Sequence, residues 1–150
     1  MIYSLKNLKK INTIICLFMF SFISNAQDKK IDTQVKETLV SIFELSDKGT
    51  YADLAPYVIY RGTDATRKWK DTYNSENTEE AEQLQYMYNK IRSLQKYGSY
   101  EFVEFITDKE SEGQWYVWKL NFNSSNAQKT IYFAFLKIND TYALGDIDIN

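Results

Sequence analysis

The sequence predicts an α+β fold, in which a curved antiparallel four-stranded meander and one short strand pack on a long helix that follows two N-terminal helices. Four segments rich in aromatic and β-branched residues follow one another in the last third of the chain. Only short polar joints separate them, so neighbouring strands must run antiparallel. A regular apolar stripe over residues 77–97 predicts the long helix that precedes them.

Residues 1–26 have the organisation of a secretory signal peptide. A basic start is followed by an apolar run over residues 11–23, and the small residues that come next predict cleavage after Ala26. The apolar run is short for a membrane span, so no membrane association is expected after cleavage. We therefore expect a secreted or periplasmic protein whose single domain occupies residues 27–150.

The charge and the residue types of this domain exclude several kinds of chemistry. Cleavage would remove three basic residues and no acidic one, which changes the net charge from −2 to −5. Such a chain has no clustered positive surface for nucleic acid. The sequence contains no histidine, and its one cysteine, Cys16, lies in the predicted signal peptide. Histidine-based triads, thiol nucleophiles and the usual zinc sites are therefore excluded, and we expect neither metal nor other cofactor.

The first half of the domain reads as two helices, a brief strand and a loop. Apolar residues at steps of three and four predict a helix over residues 32–47. A second, short helix follows, with Thr50 as its cap and Pro56 near its end. A brief strand is predicted at residues 57–60, and the absence of a clear period over residues 63–76 predicts a loop.

The main helix is predicted to begin near Asn77 and to run to about Tyr97. Glu80 stands three residues after Asn77, as in a capping box, and is expected to face water with most of the other charged residues. The stripe that should dock on the sheet consists of Ala81, Leu84, Met87, Tyr88, Ile91 and Leu94.

The four strands are predicted at residues 100–108, 114–123, 129–138 and 141–149. If each loop closes symmetrically, one face is almost wholly apolar and should lie against the helices, whereas the other is apolar at one end only. The predicted inner face comprises Tyr100, Phe102, Glu104, Ile106, Tyr116, Trp118, Leu120, Phe122, Tyr132, Ala134, Leu136, Ala143, Gly145 and Ile147. The predicted outer face comprises Val103, Phe105, Trp115, Val117, Lys119, Ile131, Phe133, Phe135, Leu144, Asp146 and Asp148.

This order of elements resembles that of the nuclear transport factor two-like superfamily of cystatin-like α+β cones. The local resemblance lies in residues 47–54, DKGTYADL, and in the closing strand pair, YFAFLKI at 132–138 and YALGDI at 142–147. The resemblance implies a pocket between the concave face of the sheet and the helices, and often a dimer through the outer face. It does not imply a reaction, because the fold hosts enzymes and non-enzymes alike.

Glu104 is the first candidate site residue. In the predicted register it lies on the apolar face beside Trp118, where desolvation would raise the pKa of its carboxyl group and let it accept a proton or anchor a ligand. In an enzyme of the isomerase or dehydratase type, Glu104 would be the base, and Tyr100 or Tyr132 would polarise the oxygen of the substrate. The alternative is that Glu104 points to solvent or pairs with a basic group.

A second candidate is the turn Tyr60-Arg61-Gly62-Thr63-Asp64, together with Arg67, Lys68 and Trp69. Arginine and tryptophan side chains can grip a carboxylate, a phosphate or a sugar ring with forked hydrogen bonds and a flat apolar surface. The alternative is a solvated loop whose Trp69 covers the core. Trp118 and Tyr132 complete the predicted ligand-binding set.

The sequence thus favours a non-catalytic domain that binds a small apolar or amphipathic ligand, or another protein. A homodimer would form through the outer sheet face. The two alternatives are the isomerase or dehydratase described above and a structural or inhibitory interaction module without a pocket.

Overall fold

The structure, a computed structural model, describes residues 29–149. Residues 34–149 belong to one compact unit, which contains the sheet. Of the other unit the structure describes residues 29–33, which are helical. The signal peptide predicted at residues 1–26 lies outside the described residues and stays a prediction.

Three helices precede the sheet in the described part of the chain. Helix α1 occupies residues 29–48, a short 3₁₀ helix occupies Tyr51–Tyr57, and helix α2 occupies Thr78–Gln95. These are the three predicted helices, of which apolar periodicity predicts α1 and α2, whereas a cap and a proline predict the short one. The residues that α1 buries follow the expected spacing of three and four, and they are Val35, Leu39, Ile42 and Phe43.

Side-chain caps fix where the second and third helices begin. The Asp53 carboxylate accepts hydrogen bonds from the backbone N–H of Thr50 at 2.7 Å and from its hydroxyl at 2.9 Å. The Asn77 side chain accepts one from the backbone N–H of Glu80 at 3.1 Å, which confirms the predicted start of α2. The prediction that Glu80 faces water is wrong, because the residue is only 8% exposed and its carboxylate bonds to Arg67.

The four predicted strands are confirmed. The strands are β1 at Ser99–Glu110, β2 at Gly113–Asn123, β3 at Gln128–Ile138 and β4 at Thr141–Ile149. Each pairs antiparallel with the next, in the order β1-β2-β3-β4. The brief strand predicted at residues 57–60 takes the form of two isolated bridges, which join Val58 to Leu144 and Ile59 to Thr72.

The predicted register between β2 and β3 is wrong by one residue. Strand β3 begins one residue earlier than expected, so Leu120 lies opposite Ile131, and Tyr132 lies opposite Lys119. Directly opposed residues share a face of the sheet, and a slip of one residue exchanges the faces of a whole strand. Phe133 and Phe135 therefore point to the helices, and Tyr132 lies on the outer face.

A bulge in β1 moves Glu104 to the outer face as well. Phe102 pairs with Leu120, but Glu104 pairs with Lys119, so Val103 is an extra residue on β1. The predicted place of Glu104 beside Trp118 in an apolar hollow is therefore wrong. Its side chain is 57% exposed, and one carboxylate oxygen lies 3.9 Å from Nζ of Lys119.

A second irregularity shifts the pairing of β3 with β4. It falls between Ala134 and Phe135, and from there to the end of β4 the predicted partners change by one residue. Ile147 consequently lies opposite Phe133 on the helix side, whereas Asp146 lies opposite Ala134 on the outer face.

The helix side of the sheet forms the main core. The ring centroid of Phe43 in α1 lies 4.9 Å from that of Tyr100, 6.2 Å from that of Phe122 and 5.4 Å from that of Phe133. The sheet side chains that are completely buried here include Leu120, Phe122, Ile131, Phe133, Phe135 and Leu144. Burial of each such side chain stabilises the fold by roughly 1.5–3 kcal/mol. This side of the sheet is therefore filled by the protein's own side chains.

A second, smaller core covers one end of the outer face. Ile59 and Trp69, from the segment between the 3₁₀ helix and α2, pack on outer-face residues of the last three strands. These are the buried residues Trp115, Leu136, Ile138 and Ala143 and the half-buried Val117 and Ala134. The apolar end of the outer face was expected to be partly exposed or to form a dimer, and it is instead covered within the chain. A homodimer through the remainder of this face stays a prediction.

The two edges of the sheet differ. Along β4, the backbone N–H of Ile59 donates to the carbonyl of Leu144, Arg61 donates to that of Gly145, and Lys90 of α2 donates to that of Ile147, each at 2.9 Å. The outer edge of β1 has no partner strand among the described residues.

Candidate functional site

A cleft of about 430 Å³ lies between the bridge segment, residues 58–63, and the N-terminal half of α2. From the bridge segment side it is lined by Val58, Ile59, Tyr60, Arg61, Gly62, Thr63 and the nearby Tyr73. From α2 it is lined by Glu79, Glu80, Gln83, Tyr86 and Met87, whose steps of three and four place them on one helix face. The cleft therefore has one wall of irregular backbone and one wall of helix.

Backbone hydrogen bonds on both sides hold the bridge segment in place. Ile59 donates to Leu144 of β4 at 2.9 Å, and Tyr60 donates to the carbonyl of Asp71, also at 2.9 Å. The N–H of Tyr73 donates to the carbonyl of Val58 at 3.1 Å. These bonds tie the segment to the sheet edge and to the loop that leads into α2.

Two tyrosines form the floor of the cleft. The rings of Tyr60 and Tyr73 meet edge to face, with centroids 5.5 Å apart. The Tyr60 hydroxyl oxygen accepts from the N–H of Asp64 at 3.2 Å, and that of Tyr73 accepts from the N–H of Arg61 at 3.4 Å. A tyrosine hydroxyl can donate its own proton while its oxygen accepts a hydrogen bond, so each of these hydroxyl groups can still donate to a ligand. Burial raises the pKa of Tyr73, which keeps this donor neutral.

Gly62 allows the bridge segment to pass directly over Tyr60. A Cβ atom at this position would collide with the Tyr60 hydroxyl oxygen and with the adjoining ring carbons. A larger residue would have to displace the ring that forms the floor of the cleft.

Arg67 fastens the loop behind the cleft to α2. Its guanidinium donates to both carboxylate oxygens of Glu80, at 2.7 and 3.2 Å, to Asp71 at 2.8 Å and to the carbonyl of Thr72 at 2.8 Å. The same group lies 4.2 Å from the ring centroid of Tyr60. Hydrogen bonds from Arg67 are the largest cause that lowers the pKa of both Glu80 and Asp71. All three groups are therefore ionised at neutral pH, and Arg67 neutralises part of the negative charge of the two carboxylates.

Arg61 and Trp69 meet behind the cleft, on the outer face of the sheet. The guanidinium carbon of Arg61 lies 4.9 Å from the Trp69 ring centroid, and Nη1 donates to the carbonyl of Gly145 and contacts Asp146 at 3.4 Å. Trp69 has a φ angle of 66° and packs edge to face on Trp115 at 5.8 Å. Such a φ is rare for a bulky residue, and here a hydrogen bond from Trp69 N–H to the carbonyl of Tyr60 fixes it.

Three of the predicted ligand-binding residues come together and three do not. Tyr60 and Arg61 line the cleft, and Trp69 stacks on Arg61. Trp69 covers the small outer core, as in the alternative reading of this loop. Trp118 is buried on the helix side, where its ring contacts Phe102 at 5.0 Å.

The catalytic constellation built on Glu104 does not form. Glu104 and Tyr132 lie on the outer face, on either side of Lys119, whereas Tyr100 pairs with Phe122 on the helix side. The helix side of the sheet, where the resemblance implies a pocket, is occupied by buried core residues that include Leu120, Phe122 and Phe133. Both outcomes follow from the shifted register and from the aromatic side chains that fill the helix side.

Sequence reasoning missed the α2 wall of the cleft. Tyr86 is a large aromatic residue outside the apolar stripe of this helix, and it is 66% exposed. An aromatic residue outside the apolar stripe is the local signal that could have indicated that this face of α2 lines a cleft. No comparable signal marks Glu80, whose partner Arg67 is thirteen residues away in the sequence.

Comparisons with protein-family models, curated proteins and solved structures found no match to this chain. Within residues 29–149, no three acidic, histidine or cysteine side chains are grouped as a metal site would require. No helix among these residues has the length and apolar character needed to cross a membrane.

Proposed function

We propose that this protein is an exported, non-catalytic binding domain whose ligand is a small amphipathic molecule held in the cleft between the bridge segment and α2. The observation that carries the proposal is the cleft itself. Its volume of about 430 Å³ lies in the range of small-molecule sites, roughly 300–1,000 Å³.

The lining offers both kinds of contact that an amphipathic ligand needs. Met87 and the exposed ring of Tyr86 provide apolar surface. The hydroxyl protons of Tyr60 and Tyr73 can be donated to the polar end of the ligand, as can those of the Gln83 amide.

The order of helices and strands supports a place for the chain in the nuclear transport factor two-like superfamily. In that proposal the ligand site is displaced from the concave face of the sheet to the neighbouring cleft. Export is proposed from residues 1–26, and a mature N-terminus at Gln27, read by mass spectrometry after expression in a Gram-negative host, would test it.

The proposed site is tested by filling it. We expect phenethylamine, phenethyl alcohol or phenylacetate, added to ¹⁵N-labelled protein, to shift the backbone amide signals of Gly62, Thr63 and Gln83. The Gln83→Trp substitution should abolish the response, because an indole at this exposed cleft position occupies the space of the ligand.

Asn89→Trp is the matched control. Asn89 is also exposed on α2 but does not line the cleft, so this variant should bind like the wild type. If none of the three compounds shifts these amide signals, or if both tryptophan variants bind equally well, the cleft is not the ligand site.

A further inference from the structure

The cleft has an excess of negative charge. Glu79 and Glu80 line it, and Arg61 is the one basic residue among its lining side chains. The Arg61 guanidinium is engaged with the Gly145 carbonyl and with Asp146, so it does not offset the two acids. Glu80 shares Arg67 with Asp71, and these three groups together leave one negative charge.

Glu79 adds a second negative charge at the rim. It is exposed on the first turn of α2 and takes part in none of the ion pairs found within residues 29–149. A positive group that enters the cleft therefore meets a carboxylate without having to displace a protein cation.

The aromatic residues of the cleft suit the same kind of ligand. The faces of tyrosine rings attract cations to within about 6 Å of the ring centroid. On Tyr60 this place is taken, since the guanidinium of Arg67 lies 4.2 Å from its ring centroid. Tyr73 and Tyr86 add two further rings to the lining, and the flexible thioether of Met87 adapts to an apolar body.

From the unpaired Glu79, the engaged Arg61 and the rings of Tyr73 and Tyr86 we infer that the cleft selects a small organic amine, whose ammonium group lies near Glu79 and these rings and whose apolar body lies on Met87. This inference rests on the proposed binding function.

Three probes of similar size and different charge test the inference. Phenethylamine is a cation at neutral pH, phenethyl alcohol is neutral and phenylacetate is an anion. In amide-shift titrations we expect phenethylamine to bind at least threefold more tightly than the alcohol, and phenylacetate to bind most weakly. Added salt should reduce the difference in affinity between the three probes, because it screens the negative charge at the rim of the cleft.

A matched pair of variants locates the charge. Glu79→Gln should weaken phenethylamine binding about two- to fivefold, the range of an exposed ion pair, and leave the alcohol unchanged. Glu82→Gln removes another exposed carboxylate of α2, one that does not line the cleft. This variant should leave the affinities for both phenethylamine and phenethyl alcohol unchanged.

The outcomes separate the two proposals. If the alcohol or phenylacetate binds as tightly as the amine, or if Glu79→Gln leaves amine binding unchanged, the cationic preference is overturned and the binding cleft stands. If no probe binds, the proposed function fails and the inference fails with it.

Discussion

Arg67 joins three separate parts of the chain through one guanidinium group. It contacts the acidic residue at the end of its own loop, the backbone that leads into α2, and Glu80 on α2 itself. Glu80 also accepts a hydrogen bond from the N–H of Asn74 at 2.7 Å. Removal of the arginine would therefore leave a largely buried carboxylate without its counter-charge, which costs more than the loss of an exposed ion pair.

We predict that Arg67→Ala lowers the free energy of unfolding by about 2–3 kcal/mol, below the range for a fully buried pair because the arginine side chain is partly exposed. Urea denaturation measures this change. Lys68→Ala, at the exposed neighbouring position, should change stability by less than about 0.5 kcal/mol. Equal stability of the two variants would contradict a structural role for Arg67.

At the scale of elements, the bulge at Val103 interrupts the regular pairing of β1 with β2. It lies in the middle of a strand of twelve residues, at the edge of the sheet that has no partner among the described residues. A long regular edge is a template for pairing with another chain, and a bulge disrupts that template. Charged side chains reinforce the effect, because Glu101, Glu104 and Asp108 lie along the same strand.

We predict that deletion of Val103 leaves the domain folded but makes it self-associate. Phe102 and Glu104 would keep their partners Leu120 and Lys119, and β1 would become a regular edge. Sedimentation velocity should detect oligomers that increase with concentration. Val103→Ala keeps the extra residue and should remain at the wild-type oligomeric state; association of both variants alike would contradict this role of the bulge.

The same bulge explains why the strands could be predicted and their faces could not. The strands can be predicted from their residue types, and helix α2 can be predicted from its N-terminal cap and the period of its apolar residues. All of these features are local in the sequence. The face of a residue depends on the count of residues between turns, and one extra residue at Val103 moved Glu104 to the other side of the sheet. The earlier start of β3 did the same to Tyr132.

The candidate site was predictable where its residues are close in sequence. Tyr60, Arg61 and Trp69 belong to one loop, and in the structure Trp69 contacts the Arg61 guanidinium and donates a hydrogen bond to the Tyr60 carbonyl. The opposite wall depends on which side of α2 faces that loop, and Arg67 pairs with Glu80 across this boundary. Contacts between distant segments of this kind leave no local pattern in the sequence.

For the whole molecule, titrating groups make stability depend on pH at both extremes. Hydrogen bonds, chiefly from Arg67, lower the pKa of Glu80 and Asp71, so their stabilisation is present above the carboxyl pKa values of the unfolded chain and is lost as the pH falls through the folded values. Burial raises the pKa of Tyr73 and Tyr142, and this stabilisation is lost as the pH rises through their folded values.

We therefore predict a stability plateau around neutral pH, with a decline below about pH 4 and above about pH 10. Thermal unfolding across this range measures it. Glu80→Gln should flatten the acidic decline, because it removes one of the shifted carboxyl groups. It should leave most of the alkaline decline in place, because burial is the largest cause that raises the pKa of Tyr73. If the stability of the Glu80→Gln variant declines at low pH as steeply as that of the wild type, groups other than Glu80 cause the acidic decline.

The anchoring of the bridge segment on both sides has a consequence for binding thermodynamics. The bridge segment is already hydrogen-bonded to β4 and to the loop that contains Arg67, so it loses little conformational entropy when a ligand binds. Affinity in this cleft should then depend mainly on the contacts between ligand and protein. Even a compound of fragment size should therefore reveal which ligands the cleft selects.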